Sequence, residues 1–198
     1  MSAPSVTESI IIDDDTSPAK ASHQLLYRTI ADSDGQISLP VDLKAIAEAI
    51  GLQSEMRYLP NDVDGLLVRT ETGAPFKAVM NASTSDNRRR FTLAHEIGHY
   101  IHQFQNSKKD GPLGDVVSVE DTAYSGGSQV YAHRDHRSST GHDSNERWAN
   151  SFAASLLMPA SIVRVMWASG MKPDDMALRF GVSLQALTYR LKNLGLLQ

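Results

Sequence analysis

The sequence predicts an α+β protein in which a small antiparallel sheet packs on helices and a helical segment follows at the C-terminus. Three observations lead there. Short runs of strand character, separated by turn residues, crowd between residues 54 and 81, while helical periodicity dominates before and after them. Hydrophobic residues make up 41% of the 198, enough to build a core. There is no cysteine, so neither disulfides nor thiolate metal sites shape the fold, and any metal must be held by His, Asp or Glu.

Residues 1–22 are rich in Ser, Thr, Asp and Pro, with an acidic run at Asp13, Asp14 and Asp15, and read as a flexible arm. From His23, HQLLYRTIA carries the three-and-four apolar spacing of a short helix. In ISLPVDLKAIAEAIGL, Pro40 precedes a helix whose apolar positions are Leu43, Ile46, Ala47 and Ile50, and Gly51 stops it. SEMRYLP, GLLVRT and FKAVMN then read as three strands, divided by Asn61-Asp62 and Thr72-Gly73 turns. A helix spans Arg89 to about Gln103. Residues 106–143 are polar and Gly/Ser-rich, far longer than an ordinary connection of ~4–6 residues. NERWANSFAASLLM is a second strong helix, with Trp148, Phe152 and Leu156, or Ala149, Ala153, Leu156 and Leu157, as its apolar face and Pro159 as its end. Helices near 160–169, 174–180 and 183–194 follow, and the last two resemble a helix–turn–helix with Gly181 at the turn and Ser183 as N-cap.

The chemistry concentrates in FTLAHEIGHYIHQ. His95, Glu96 and His99 form H-E-x-x-H on a helix. Positions four apart differ by about 40° around the axis, so both imidazoles leave one face and can meet one cation. Glu96 lies about 100° round, beside the metal, where it can act as a base on water without being a ligand. With seven His and seven Glu in the chain, random placement yields about 0.01 such motifs, so chance is a poor explanation. Gly98 costs ~1 kcal/mol relative to alanine in a helix interior, which calls for a close approach there. Phe91, Leu93, Ala94, Ile97 and Ile101 make the helix a buried one, and two histidines and a glutamate buried without partners would be costly. His102 lies almost two turns beyond His95 and reads as a surface residue outside the cluster.

A metal centre of this type needs a third protein ligand. Glu146, at the start of the NERWANSFAASLLM helix, is the leading candidate, and Asn150, on the same face, can hold a ligating histidine from behind. Glu120, Asp143, His133, His136 and His142 are the rivals, all in or beside the long loop.

RRRFTLAHEIGHYIHQ, followed by RDHRSSTGHDSNERWANSFAASLLMP, resembles the ImmA/IrrE family of bacterial metallopeptidases, and the upstream PVDLKAIAEAIGLQSEMRYLPNDVDGLLVR and the strand ending in Asn81 fit its N-terminal portion. The similarity runs from about residue 38 to residue 160. It implies a zincin-like core holding one zinc ion, and the chain is divided accordingly into that metallopeptidase domain at 23–159 and a helix–turn–helix-like segment at 160–198. It also implies cleavage of a helix–turn–helix repressor, which releases mobile-element or stress-response genes. On this resemblance His95, His99 and Glu146 are the metal ligands and Glu96 the catalytic residue, with Zn2+ expected and Mn2+ the alternative.

Around this centre, Tyr131, His133, Arg134 and Asn81 are candidate oxyanion or substrate contacts, and FKAVMN is a candidate edge for an extended peptide. Two other function classes stay open. One is a DNA-binding regulator, because residues 160–198 carry Arg164, Lys172, Arg179, Arg190 and Lys192 against Asp174 and Asp175. Against it, Leu184, Leu187, Leu191 and Leu194 look like packing positions, and the chain as a whole carries a net charge of −4, which gives DNA weak support as a partner. The other is a partner-binding module with a structural metal, which Glu96 disfavours. The triplet Arg88, Arg89 and Arg90 is expected to turn outward or to pair with acids. Neither a signal peptide nor a run of ~20 apolar residues is visible, so a cytoplasmic protein without membrane partners is expected.

Overall fold

The computed structural model describes residues 12, 16–69, 74–105, 131–136 and 144–198, with 103–105 and 131–136 through their backbone alone. Capping chemistry sets most of the helix boundaries. Ser17 caps helix α1 (Pro18–Thr29) through Lys20 N, with Pro18 at the first turn, so the helix begins five residues before the expected His23. Asp42 caps α2 (Leu43–Ala49) by accepting from the amides of Lys44 and Ala45. Ser85 caps α3 (Asp86–His99), three residues ahead of the expected start, and the helix runs on into a π-helical turn, Tyr100–Gln105.

The sheet comprises β1 (Gln53–Arg57), β2 (Val63–Arg69), β3 (Lys77–Asn81) and β4 (Tyr131–His136) in the order β1-β3-β2-β4. It is mixed, which corrects the expectation of a purely antiparallel sheet: β2 pairs antiparallel with both β3 and β4, but β1 lies parallel to β3. The chain passes from β1 beyond the place of β3 to form β2, then returns between them. Asn81 secures that passage. Its amide donates to the carbonyls of Leu59, Pro60 and Val63, and its carbonyl accepts from Leu59 N, Ser83 N and Ser83 Oγ. β4 lies inside the stretch read as one long loop. The rest of that stretch, the acidic run at 13–15 and most of the proposed arm lie outside the described residues.

Side-chain alternation divides the sheet. Leu67, Ala78 and Met80 face the main core, built with α1, α2, α3 and α4, whereas Val63, Leu66, Val68 and Val79 form a small second cluster with Leu59 on the other face. The pairing of β2 with β4 shifts register between Val63 and Leu66, which puts Val63 on the same side as Leu66.

Helix α4 (Ser144–Leu157) buries Ala149, Phe152, Ala153, Leu156 and Leu157, and Trp148 packs against the same core, so both apolar faces read from the sequence are used. Helices α5 (Ala160–Ala168), α6 (Pro173–Phe180) and α7 (Leu184–Asn193) complete the chain. Gly181 adopts φ 64°, the left-handed turn between α6 and α7, and Ser183 caps α7 through Ala186 N, both as expected. Leu187 and Leu191 are buried, but Leu184 is 45% exposed rather than packed. No single helix among the described residues is long and apolar enough to cross a membrane.

Candidate metal centre

The site forms where α3 crosses α4. A Cβ on Gly98 would lie 3.0 Å from Phe152 Cδ1 and 3.3 Å from Ala149 Cα, so the missing side chain is what allows the two helices to touch. This is the close approach that a mid-helix glycine called for. One turn N-terminal to that contact on α3 sits His95, and on α4 sits Glu146, while His99 follows Gly98 directly. The crossing therefore brings residues 47 positions apart to one point.

His95 and His99 are fully buried on the inner face of α3. Their Nε2 atoms lie 2.9 Å apart, and Glu146 places Oε2 3.2 Å from His95 Nε2 and Oε1 3.0 Å from His99 Nε2. Ligand atoms of a tetrahedral centre with bonds of ~2.0–2.1 Å stand about 3.3 Å from each other. The three side chains thus converge at close to the spacing of one coordination sphere, and they form a metal-binding group of two imidazoles and a carboxylate.

The protonation pattern supports the same reading. His95 Nδ1 lies 3.0 Å from Asn150 Oδ1, one turn beyond Glu146 on α4. An amide oxygen only accepts, so this contact is a hydrogen bond donated by Nδ1, and it turns Nε2 toward Glu146 and His99. Two nitrogens and a carboxylate aimed at one point form a donor set that a divalent cation satisfies, and burying it is costly otherwise. The residues present fit a metal ion.

Glu96 is completely buried and faces the sheet, over Gly65 of β2. A Cβ built on Gly65 would lie 3.3 Å from Glu96 Oε1 and only 2.3 Å from Thr92 Cγ2. Gly65 did not stand out in the sequence, although a glycine inside an apolar strand is the signal of a close backbone approach.

The remaining candidates divide. Asn81, 1% exposed and with its amide engaged on every side by the β1–β2 connection, is a structural residue rather than a substrate contact. β3 has both edges paired, so it offers no place for an added strand; the sheet edges among the described residues are β1 and β4. Tyr131, His133, Arg134 and His136 lie on β4, opposite Arg69, Leu67, Leu66 and Val63, and their side chains are outside the described residues. Glu120, His142 and Asp143 are outside them altogether. His102 is half-buried rather than a surface residue: its ring stacks on Trp148 at 4.3 Å and 14°, apart from the metal-binding group.

The arginine triplet is committed to the fold. Arg88 pairs with Asp64; Arg89 pairs with Asp86 and donates to the carbonyls of Ala82 and Thr84. Arg90 reaches Gly181 O at 3.2 Å and Val41 O at 3.0 Å, and burial holds its guanidinium below the ordinary value, with Asp42 opposing. In the C-terminal segment Arg190 donates to Met158 O and Arg164 to Leu194 O, so two of the five basic residues there are turned to backbone carbonyls.

No curated protein matches the chain. A family model does: the IrrE N-terminal-like domain of the Peptidase_M78 family aligns with residues 78–192, a span that starts in β3, takes in the whole metal-binding group and ends in α7. With more than half of its length matched, and with two histidines and a glutamate gathered where a metal ion can be held, the protein belongs to the ImmA/IrrE family and is a metallopeptidase, a hydrolase of peptide bonds.

Proposed function

We propose that the metal is zinc, with manganese as the alternative, and that the enzyme is a cytoplasmic endopeptidase cutting a helix–turn–helix transcriptional repressor, so derepressing mobile-element or stress-response genes. The convergence of His95, His99 and Glu146 within hydrogen-bonding distance of one another carries the metal-dependent part. An all-nitrogen-and-oxygen set of two imidazoles and one carboxylate suits zinc and leaves a coordination position for water. The repressor rests on the resemblance of the motifs to the family.

When bound, the metal supplies Lewis acidity, lowering the pKa of a water and polarising the scissile carbonyl. The chain's own residues do the rest. Asn150 holds His95 in the tautomer that leaves Nε2 bare. Glu96, next to a ligand and shielded from solvent, accepts the proton of the attacking water and returns it to the leaving amine as the C–N bond breaks. Removing that carboxylate without changing its shape separates the two roles: Glu96→Gln should keep a full equivalent of metal and lose cleavage by about 10²-fold or more. The assay is co-incubation with a helix–turn–helix repressor from the neighbourhood of the gene for this chain, with metal content measured on the same samples. An intact repressor in the presence of fully loaded wild-type enzyme would sink the substrate assignment, and a Glu96→Gln variant that still cuts would sink the mechanism.

A further inference from the structure

Three residues of α3 spaced one turn apart, Arg88, Thr92 and Glu96, all meet two consecutive residues of β2. Arg88 pairs with the Asp64 carboxylate. Thr92, 1% exposed, and Glu96, fully buried, both lie against Gly65, where a Cβ would come within 2.3 Å of Thr92 Cγ2, 3.1 Å of Val79 O and 3.3 Å of Glu96 Oε1. Real side chains do not tolerate the first of these distances, and the second is against backbone that cannot swing aside. The register shift between β2 and β4 also falls at Asp64-Gly65, so the strand is locally reshaped where the helix crosses it. By contrast, the contacts that gather His95, His99 and Glu146 run between α3 and α4 and do not involve Gly65.

We propose that Asp64-Gly65 is the positioning element for the catalytic glutamate: the bare backbone at Gly65 leaves the room in which Thr92 and the Glu96 carboxylate lie, the Asp64–Arg88 pair holds strand and helix together there, and so the conformation of the Glu96 side chain, and with it the place of its carboxylate beside the metal-binding group, is fixed. This rests on Glu96 acting as the base. The two histidines meet Glu146 of α4 on one side of α3, while Glu96 meets β2 on another, so the two functions of the site are built on different faces of one helix. Displacing a catalytic group by about 1 Å costs on the order of 10²-fold in rate, whereas His95, His99 and Glu146, which do not touch Gly65, should keep the cation.

The test uses Gly65→Ala, Thr92→Ser, the double variant, Asp64→Asn and Glu96→Gln, each in the full-length, zinc-loaded protein. Thr92→Ser deletes the Cγ2 methyl that an alanine at 65 would strike, so it relieves the steric conflict without restoring glycine. Metal content is measured first. Acetohydroxamate affinity is measured second, because a hydroxamate chelates the metal while sharing its proton with the neighbouring carboxylate, and so reports the position of Glu96 without any peptide substrate. Gly65→Ala should keep one metal per chain, weaken acetohydroxamate as Glu96→Gln does, and lower kcat by about 10-fold or more with KM little changed. In the Thr92→Ser background the same Gly65→Ala change should cost at least several-fold less in both readouts. Asp64→Asn should move both in the same direction by a smaller factor.

Gly65→Ala with full metal and unchanged hydroxamate affinity would overturn the proposal, as would loss of metal in step with loss of activity, or the absence of any rescue by Thr92→Ser. If Gly65→Ala alone does not fold, the double variant and Asp64→Asn carry the same comparison. If Glu96→Gln itself leaves hydroxamate binding and cleavage intact, it is the assignment of Glu96 as base that fails, and the two failures are told apart.

Discussion

Asn81 and His95 show two ways in which a buried polar side chain is justified. Asn81 closes a connection in the backbone: one carboxamide satisfies three carbonyls, two amides and a hydroxyl around the crossing from β1 to β2. Leaving those groups unsatisfied costs ~1–3 kcal/mol each before relaxation and water entry. Asn81→Ala should therefore lower stability by about 2 kcal/mol or more, read as a lower urea midpoint at unchanged slope, without changing the metal content. A midpoint equal to wild type would mean that the connection is held by other contacts. His95 instead is justified by chemistry, with Nδ1 satisfied by Asn150 and Nε2 turned to the metal-binding group. Removal of the third ligand is the matching prediction at this scale. Glu146→Ala should reduce metal affinity by at least about 10-fold, measured by competition with a chromogenic chelator, because the two histidines alone leave the coordination sphere half-built.

At the scale of elements, the crossing of α3 and α4 is the feature on which the centre depends. Gly98→Ala tests it. Alanine gains up to ~1 kcal/mol of helix propensity, but its methyl meets Phe152 and the Ala149 backbone at 3.0 and 3.3 Å, and overpacking costs typically ~1–3 kcal/mol. The expected net is a loss of about 1–2 kcal/mol in urea unfolding, with weakened metal binding because Glu146 is carried away from the histidines. A variant more stable than wild type would show that the helices have slack at this point. The same crossing explains what could be read early and what could not. H-E-x-x-H is a local pattern, so its geometry follows from the helical repeat. Glu146 shares its residue type with other acids and histidines in or beside the long loop, and only the packing of α4 against Gly98 brings it to His95 and His99. The parallel pairing of β1 is not legible in its sequence, because strand character says nothing about which neighbour a strand takes. β4 went unseen because YAHRDH lacks the apolar alternation that marks a strand.

For the whole molecule, the metal-binding group and Arg90 tie together parts distant in sequence. The metal-binding group joins α3 to α4. Arg90 joins α3 to the α6–α7 turn at Gly181 and to Val41 ahead of α2. Metal that binds only the folded chain adds RT ln(1 + [L]/Kd) to stability, about 2.7 kcal/mol at a hundred-fold excess over Kd. Chelation should accordingly lower the thermal midpoint, and stoichiometric zinc should restore it; in Glu96→Gln the same shift should appear, since the role proposed for that residue is base rather than ligand. A midpoint indifferent to chelator in the wild type would contradict a buried, fold-spanning metal.

The sequence by itself determined the family, the pair His95 and His99 on one helix face with Glu96 beside them, the helix caps at Ser183 and Gly181, and the requirement for a close approach at Gly98. Each is a matter of spacing along one element or of a residue's own conformational preference, and both are set over a few residues. Only the tertiary structure decided the sheet order, the structural duty of Asn81, the employment of Arg88, Arg89 and Arg90, and the meeting of Glu96 with Gly65. Those depend on which surfaces lie against each other across tens of residues, and that is settled by how the whole chain packs rather than by any segment of it.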